Sequence, residues 1–137
     1  MSYAVAAALQ EAVFQRLSQD AGLAALVGNA IFDALPSGIV PPTYVTLGPE
    51  DVRDRSDVTA GGAWHRFTVS VVTANAGFLT AKEVAGAVSD ALVRADLTLA
   101  RGRLITLDFL RARARRETGG QLRRIDMTFR ARVDDTQ

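Results

Sequence analysis

The chain of 137 residues contains no cysteine and a single histidine, His65. Without cysteine there are no disulfides, thiolate metal ligands or thiol nucleophiles, and folding in a reducing compartment is expected. His65 has no second histidine near it in the sequence, so metal binding or base catalysis is not indicated. The glycine pairs 61–62 and 119–120 precede expected strands, not helices, and no serine elbow is present. The sequence predicts no enzyme, no cofactor and no metal site.

Long apolar runs are also missing. No stretch approaches the roughly 20 residues that cross a bilayer, and we expect no membrane partner. A signal peptide requires a basic residue before its apolar segment, and none precedes the apolar stretch 3–9, so no signal peptide is expected. The length predicts one domain, residues 1–137, which is large enough to bury a core of its own.

Lysine is almost absent, since Lys82 is the only one and arginine supplies the other basic side chains. Residues 1–100 are net acidic and residues 101–137 are net basic. Arginine is the better residue for bidentate pairing across an interface. A GC-rich genome would also favour arginine codons, but it would not concentrate arginines in one segment.

Apolar residues at helical spacing predict a helix over residues 2–19, a short helical turn over 21–27 and a second helix from Thr80 to about residue 92. Glu83 follows Thr80 at the spacing of a capping box. Short strands are expected at 30–35 and 43–47, and a longer one at 63–73.

The segment 103–133 predicts a long β-hairpin with arms 104–117 and 121–133 and a turn at Thr118-Gly119-Gly120. With it, the chain is expected to be α+β: an antiparallel sheet of four to five strands, with two helices packed on one face and a long C-terminal β-hairpin.

Side chains in the first arm change character along its length. Ile105, Leu107 and Phe109 have the same strand parity as the arginines that follow, so the face turns from apolar to cationic unless a bulge shifts the register. Such a change is typical of an arm whose tip extends beyond its own core. We expect the tip to contact another molecule.

The hairpin carries a cluster of arginines, which we treat as a candidate subunit or partner interface. Its members are Arg111, Arg113, Arg115, Arg116, Arg123, Arg124, Arg130 and Arg132. Three interpretations compete. The arginines form a solvated face with partners in their own chain, they dock on an acidic patch of a neighbouring subunit, or they bind nucleic acid. We favour docking, because a nucleic-acid site would want more lysine and interleaved aromatic residues.

Residues 48–62 predict a solvated, mobile loop or an open hairpin, since mixed charges end in glycines. The charged members are Glu50, Asp51, Arg53, Asp54, Arg55 and Asp57. Their spacing is not that of an EF-hand, and the arginines would repel Ca²⁺. A loop of this length is either a plain linker or a functional segment.

The chain resembles the tail-completion, or tail-terminator, proteins of long-tailed bacteriophages and gene transfer agents. The resemblance rests on the segments 9–17, 24–28, 31–33, 42–48 and 67–72, on the helix 80–92 and on the closing arginine-containing hairpin. It covers nearly the whole chain and keeps the order of its elements. Each motif is a packing or turn pattern, and only their succession is specific.

The resemblance implies a structural virion protein, assembled in the bacterial cytoplasm and placed at the head-proximal end of the tail. Such proteins form a ring, here expected to hold six copies, that caps the tail tube, stops its polymerisation and meets the neck or head-closure protein. DNA passes through the channel without specific binding. On this hypothesis the 48–62 loop faces the tube or the lumen. A neck or head-closure connector ring is the alternative, and an arginine-hairpin nucleic-acid-binding module is a further one.

Overall fold

The computed structural model describes residues 3–54, 62–117 and 119–135, and its architecture is α+β, as predicted. The helices are α1 (Ala6–Gln19), α2 (Ala21–Val27) and α3 (Leu79–Leu92). The strands are β1 (Ile31–Phe32), β2 (Thr43–Asp54), β3 (Gly62–Thr73), β4 (Arg103–Glu117) and β5 (Leu122–Asp134). No helix of the described residues has the length and apolar character needed to cross a bilayer.

The five strands form one sheet in the order β1-β2-β3-β5-β4. Neighbours from β2 to β4 are antiparallel, as expected, but β1 pairs parallel with β2 through Ile31↔Val45 and Phe32↔Thr46. The sheet is therefore mixed at one edge. The parallel pairing arises because the proline-containing segment 33–42 carries the chain back to the end of the sheet where β1 began.

The helices share one hydrophobic core with a single face of the sheet, which confirms the predicted layering. Leu9, Val13 and Leu17 of α1 are buried, and Val84, Val88 and Leu92 of α3 are buried with them. They join a cluster that includes the inward residues of β3 and β5. The predicted 21–27 turn is a third helix, begun by the Asp20 carboxylate, which accepts a hydrogen bond from the Leu23 amide at 2.9 Å.

The predicted capping box at Thr80 is wrong. Helix α3 begins one residue earlier, its N-cap is Phe78, and that residue makes no side-chain capping hydrogen bond. The Thr80 hydroxyl instead accepts a hydrogen bond from the Asn75 side-chain amide at 3.1 Å. The sequence pattern assigned the Thr80 hydroxyl to the helix cap, but in the structure it is hydrogen-bonded to the nearby Asn75 side chain instead.

Residues 48–54 are not a loop, because β2 continues through them to Asp54. A register shift lies between Leu47 and Glu50, after which Glu50 pairs with Phe67 and Val52 with His65. The open-hairpin alternative is thus the correct one for residues 48–54. The strand escaped prediction because the bulge at Gly48 and Pro49 breaks the two-residue period of its side chains.

Two bulges set the faces of the C-terminal hairpin. The β4–β5 register shifts between Leu104 and Thr106 and again between Phe109 and Arg111. Ile105 is accordingly exposed, although Leu107 is buried. Beyond Leu110 the odd-numbered residues face away from the helices. The apolar-to-cationic change along the arm is therefore a change of sheet face at a bulge.

The expectation that the hairpin tip extends beyond the core is wrong for β5. Strand β3 accompanies β5 along its length, from Gly62↔Asp134 to Thr73↔Arg123. Ile125 is buried near that end. The hairpin lies within the sheet, and β4 is its long outer edge.

Candidate functional site

The sheet face that is left uncovered by the three described helices is rich in arginine. We call it the arginine face and define it by side chains of β3, β4 and β5 that the strand register places on one side: Arg66, Arg111, Arg113, Arg115, Arg124, Arg130 and Arg132. Six of the eight predicted hairpin arginines belong to it. Arg116 and Arg123 are register partners and lie on the helix side of the sheet. Ile125, which is buried, lies on the same side.

Asp126 is the centre of a polar cluster on this face. The Ser70 hydroxyl donates a hydrogen bond to Asp126 Oδ1 at 2.6 Å, and Arg124 Nε donates to the same oxygen at 2.8 Å. Arg115 reaches Asp126 Oδ2 at 3.3 Å. Glu117 lies 3.3 Å from Arg115 and 3.6 Å from Arg124. The charges of Arg115 and Arg124 are thus balanced within their own chain.

The cluster shifts the acidity of Asp126. Burial alone would raise the pKa of this carboxyl, but the hydrogen bonds from Ser70 and Arg124 and the charge of Arg124 outweigh burial and hold the pKa below its usual value. Asp126 therefore stays ionised and keeps both guanidinium groups in place at neutral pH.

Two further arginines of β5 lie against aromatic rings. The Arg130 guanidinium carbon is 4.4 Å from the centre of the Trp64 ring, and that of Arg123 is 5.8 Å from the Phe78 ring. Arg123 also donates a hydrogen bond to the Gly120 carbonyl at 2.8 Å. Arg123, Arg124 and Arg130 of β5 therefore have contacts within their own chain.

Arg111 and Arg113 of β4 differ from these. Both are exposed and line an open groove of about 390 Å³, together with Pro49, Thr68 and Thr128. Among the described residues, no carboxylate oxygen lies within 4 Å of either guanidinium group. Their charge remains available to a partner.

A second concave surface lies along α1, at the opposite edge of the sheet. We call it the acidic groove; it has a volume of about 490 Å³. Its lining residues are Tyr3, Ala6, Ala7, Gln10, Glu11, Phe14, Asp33 and Glu50. Alanine and phenylalanine side chains form an apolar floor, and three carboxylates stand around it. Sequence reasoning missed this groove, because its carboxylates come from three distant segments that only the topology brings together.

Neutral donors hold the carboxylates of the acidic groove. The Tyr3 hydroxyl donates to Glu50, and the Gln10 amide donates to Asp33. The Gln15 amide donates to Glu11 at 3.3 Å. The hydrogen bond to Glu50 and its negative charge raise the pKa of the Tyr3 hydroxyl. No arginine or lysine of the described residues forms an ion pair with these carboxylates. The groove therefore keeps its negative charge.

The predicted 48–62 site residues do not form one group. Asp51 and Arg53 form an exposed ion pair of 3.1 Å, whereas Glu50 belongs to the acidic groove. Asp54 ends β2. Arg55 and Asp57 lie outside the described residues.

His65 is fully buried on β3, and neither ring nitrogen has a hydrogen-bond partner among the described residues. Burial lowers the pKa of the imidazole, and the charge of Glu50 offsets part of that effect. The described residues contain no cluster of three or more His, Asp or Glu side chains suited to a metal ion. His65 thus sits in the core as a neutral group.

Comparisons with known proteins agree over nearly the whole chain. A family model described as tail completion protein gp17 matches residues 11–134. A chain in a solved structure titled "Virion of native gene transfer agent (GTA) particle" is 63% identical, with a TM-score of 0.92. The match covers 97% of this chain and 99% of that chain. No curated protein matches the sequence.

Proposed function

Because the chain belongs to the tail completion protein gp17 family, we propose that it forms a ring of six copies at the head-proximal end of a tail tube. The ring caps the tube, stops its polymerisation and joins it to the neck or head-closure protein. The protein is a structural component of a phage or gene transfer agent tail and resides in the virion. DNA crosses the ring channel without specific binding.

The observation that supports this proposal best is the 63% identity to a chain of a gene transfer agent virion, with almost complete coverage of both chains. The charge distribution agrees with it. Uncompensated arginines lie on β4 and uncompensated carboxylates lie around α1, at opposite edges of one sheet. Complementary surfaces on opposite sides of a subunit favour head-to-tail association, which gives a ring when the rotation closes.

The test uses the purified chain and purified tail tubes of the same phage or gene transfer agent. Light scattering measures the mass of the chain alone and with tubes, and electron microscopy shows where it binds. We expect density at one end of each tube and tubes that no longer elongate when more tube protein is added. Binding to the portal side alone would contradict the proposal and indicate a neck or head-closure connector ring instead. A DNA shift with a steep salt dependence would replace it with a nucleic-acid-binding module.

We further propose that the end of the β2–β3 hairpin faces the tube or the lumen. Asp51 and Arg53 are exposed there, and the sequence adds further charges between the two strands. Neutralising Asp51, Asp54 and Asp57 together is expected to reduce ring-to-tube joining or DNA passage. Unchanged particle yield and unchanged infectivity or gene transfer would contradict this placement.

A further inference from the structure

Strand β4 is an edge strand of the sheet and is suited to contact another chain. It is 15 residues long, pairs with β5 alone among the described strands, and is exposed at every residue from 111 to 116. Nearer its start, the Leu107 carbonyl accepts a hydrogen bond from the Arg94 amide at 2.9 Å, so the open part of the edge is residues 111–116. Ile105 and Phe109 on the same strand are 37% and 42% exposed. Long edges with unpaired backbone groups and apolar side chains associate with other chains unless they are blocked. The edge combines this open backbone with the uncompensated charges of Arg111 and Arg113.

The acidic groove has the complementary chemistry. Arginine presents a planar guanidinium that pairs with carboxylates and an aliphatic stem that covers apolar surface. Glu11, Asp33 and Glu50 supply the carboxylates, and Ala7 and Phe14 contribute to the apolar floor. Since their present donors are neutral amides and a hydroxyl, an incoming arginine adds charge neutralisation without displacing a cation.

The positions of the two surfaces indicate that a second copy of this chain supplies the arginines to the groove. Two β4 edges that met across a two-fold axis would bring two arginine-rich strands together, and like charges in contact repel. The groove and β4 lie at opposite edges of the same sheet, so the groove of a second copy is free to receive β4 of the first. Repetition of that contact leads from copy to copy in one direction.

We propose that the acidic groove of one copy binds the β4 edge of the next copy, with Arg111 and Arg113 facing Glu11, Asp33 and Glu50. This inference rests on the proposed ring, and it names the two surfaces that build it. The occupant of the groove is a second copy of this chain, not the tube protein and not nucleic acid.

Charge exchange tests the contact. An arm variant carries Arg111→Glu and Arg113→Glu, and a groove variant carries Glu11→Arg and Asp33→Arg. Each alone is expected to lose more than about 100-fold in association at tube ends, because like charges then face each other. An equimolar mixture restores rings, since each contact again joins opposite charges. A chain with all four changes also restores them.

A matched control carries Glu83→Arg and Asp90→Arg on the exposed side of α3, which makes the same charge change outside the groove. This control is expected to assemble like the unaltered chain. Groove and arm variants that assemble normally would overturn the inference. Groove variants that still form rings but no longer bind tubes would assign the groove to the tube protein instead.

Cross-linking gives an independent measurement, because the chain has no cysteine. Ala7→Cys places one thiol in the groove, and Ala112→Cys places one on the β4 edge between Arg111 and Arg113, on the helix side of the strand. Both alanines are exposed. Oxidation of the double variant on tube ends is expected to give a ladder of linked copies. The single variant Ala112→Cys is expected to stay unlinked. A dimer band from that single variant would show a two-fold contact and overturn the inference.

The two proposals fail in different ways. If the unaltered chain binds no tube end, the proposed function is wrong whatever the variants do. If the unaltered chain forms rings at tube ends while charge exchange and cross-linking have no effect, only the inferred contact is wrong.

Discussion

The two strands of the C-terminal hairpin are both rich in arginine, but they use it differently. Strand β5 lies between β3 and β4, alternates buried and half-buried residues, and gives Arg123, Arg124 and Arg130 contacts in the same chain. Strand β4 has a free edge, and Arg111 and Arg113 have no ion-pair partner among the described residues. The same residue type therefore serves the fold on one strand and remains available for assembly on the next.

The difference comes from position in the sheet, not from composition. A central strand has neighbours on both sides, so its outward side chains meet the hydroxyls, carboxylates and rings of those neighbours. An edge strand has one neighbour, and half of its surroundings must come from solvent or from another molecule. Substitutions on β5 should therefore affect stability, and substitutions on β4 should affect association.

The largest expected difference comes from two phenylalanines that are register partners. Phe129 of β5 is fully buried and packs on the rings of Phe67 and Phe109, whereas Phe109 of β4 is 42% exposed. Phe129→Ala is expected to lower the free energy of unfolding by about 3–5 kcal/mol. Phe109→Ala should cost less than half of that loss and weaken ring assembly. Urea unfolding measures both, and equal losses would break the comparison.

Asp126 gives the next largest effect. Asp126→Asn leaves two guanidinium groups without their shared charge and is expected to cost about 1–3 kcal/mol. Because the pKa of Asp126 is lowered in the folded state, its stabilisation is present above about pH 4 and is lost as pH falls through the folded-state value. The variant should therefore unfold with a weaker pH dependence in this acidic range. Asp108→Asn, opposite Arg130, is the matched control, and an equal effect there would contradict the prediction.

The third prediction concerns β3, the other strand that pairs with β5. Its residue His65 is the register partner of Ala131 on the helix-covered face of the sheet. Burial lowers its folded-state pKa, so the unfolded chain takes up a proton more readily and protonation favours unfolding. Stability is expected to be full above about pH 6.5 and to decrease as pH falls toward the folded-state value. His65 is the only histidine, so His65→Leu should remove this slope. Thermal unfolding between pH 7.5 and 5 measures it, and a slope that persists in the variant would show another origin.

The smallest effect on stability is expected on β4. Arg113→Ala should change the free energy of unfolding by less than about 0.5 kcal/mol, because the side chain is exposed and has no ion pair to lose. Arg124→Ala on β5 is the control and should cost more, since Arg124 contacts Asp126, Glu117 and Ser70. Chemical denaturation compares the two variants. A loss for Arg113→Ala as large as that for Arg124→Ala would remove the distinction between the strands.

Much of the fold follows from side-chain periodicity. The stripe of α1, the alternation of β3 and β5 and the glycine turn of the hairpin all predicted the correct elements. The errors fall where the period is interrupted. The bulge at residues 48–49 concealed half of β2, and the bulge at Leu110 made a change of face resemble an arm that leaves its core. Gly48 and Pro49 are compatible with a bulge, and the change of character along the first arm allowed for one, but the position of each bulge is fixed by the pairing of distant strands.

The candidate site was only half predictable. The hairpin arginines are visible as a cluster in the sequence, but their division into paired and available groups depends on Ser70, Trp64 and Asp126, which the sheet brings together. The acidic groove was not predictable at all. Glu11, Asp33 and Glu50 are far apart in the chain, and each one alone is an ordinary surface carboxylate.

The sheet order also governs when this subunit can exist during synthesis. Strand β5 is the last strand in chain order, yet it lies between β3 and β4 and supplies Phe129 and Ile125 to the core. Until β5 has left the ribosome, β3 and β4 have no common neighbour, and the helices lack the core residues that β5 supplies. Nascent chains therefore complete the sheet, and with it the arginine face, only after translation of β5.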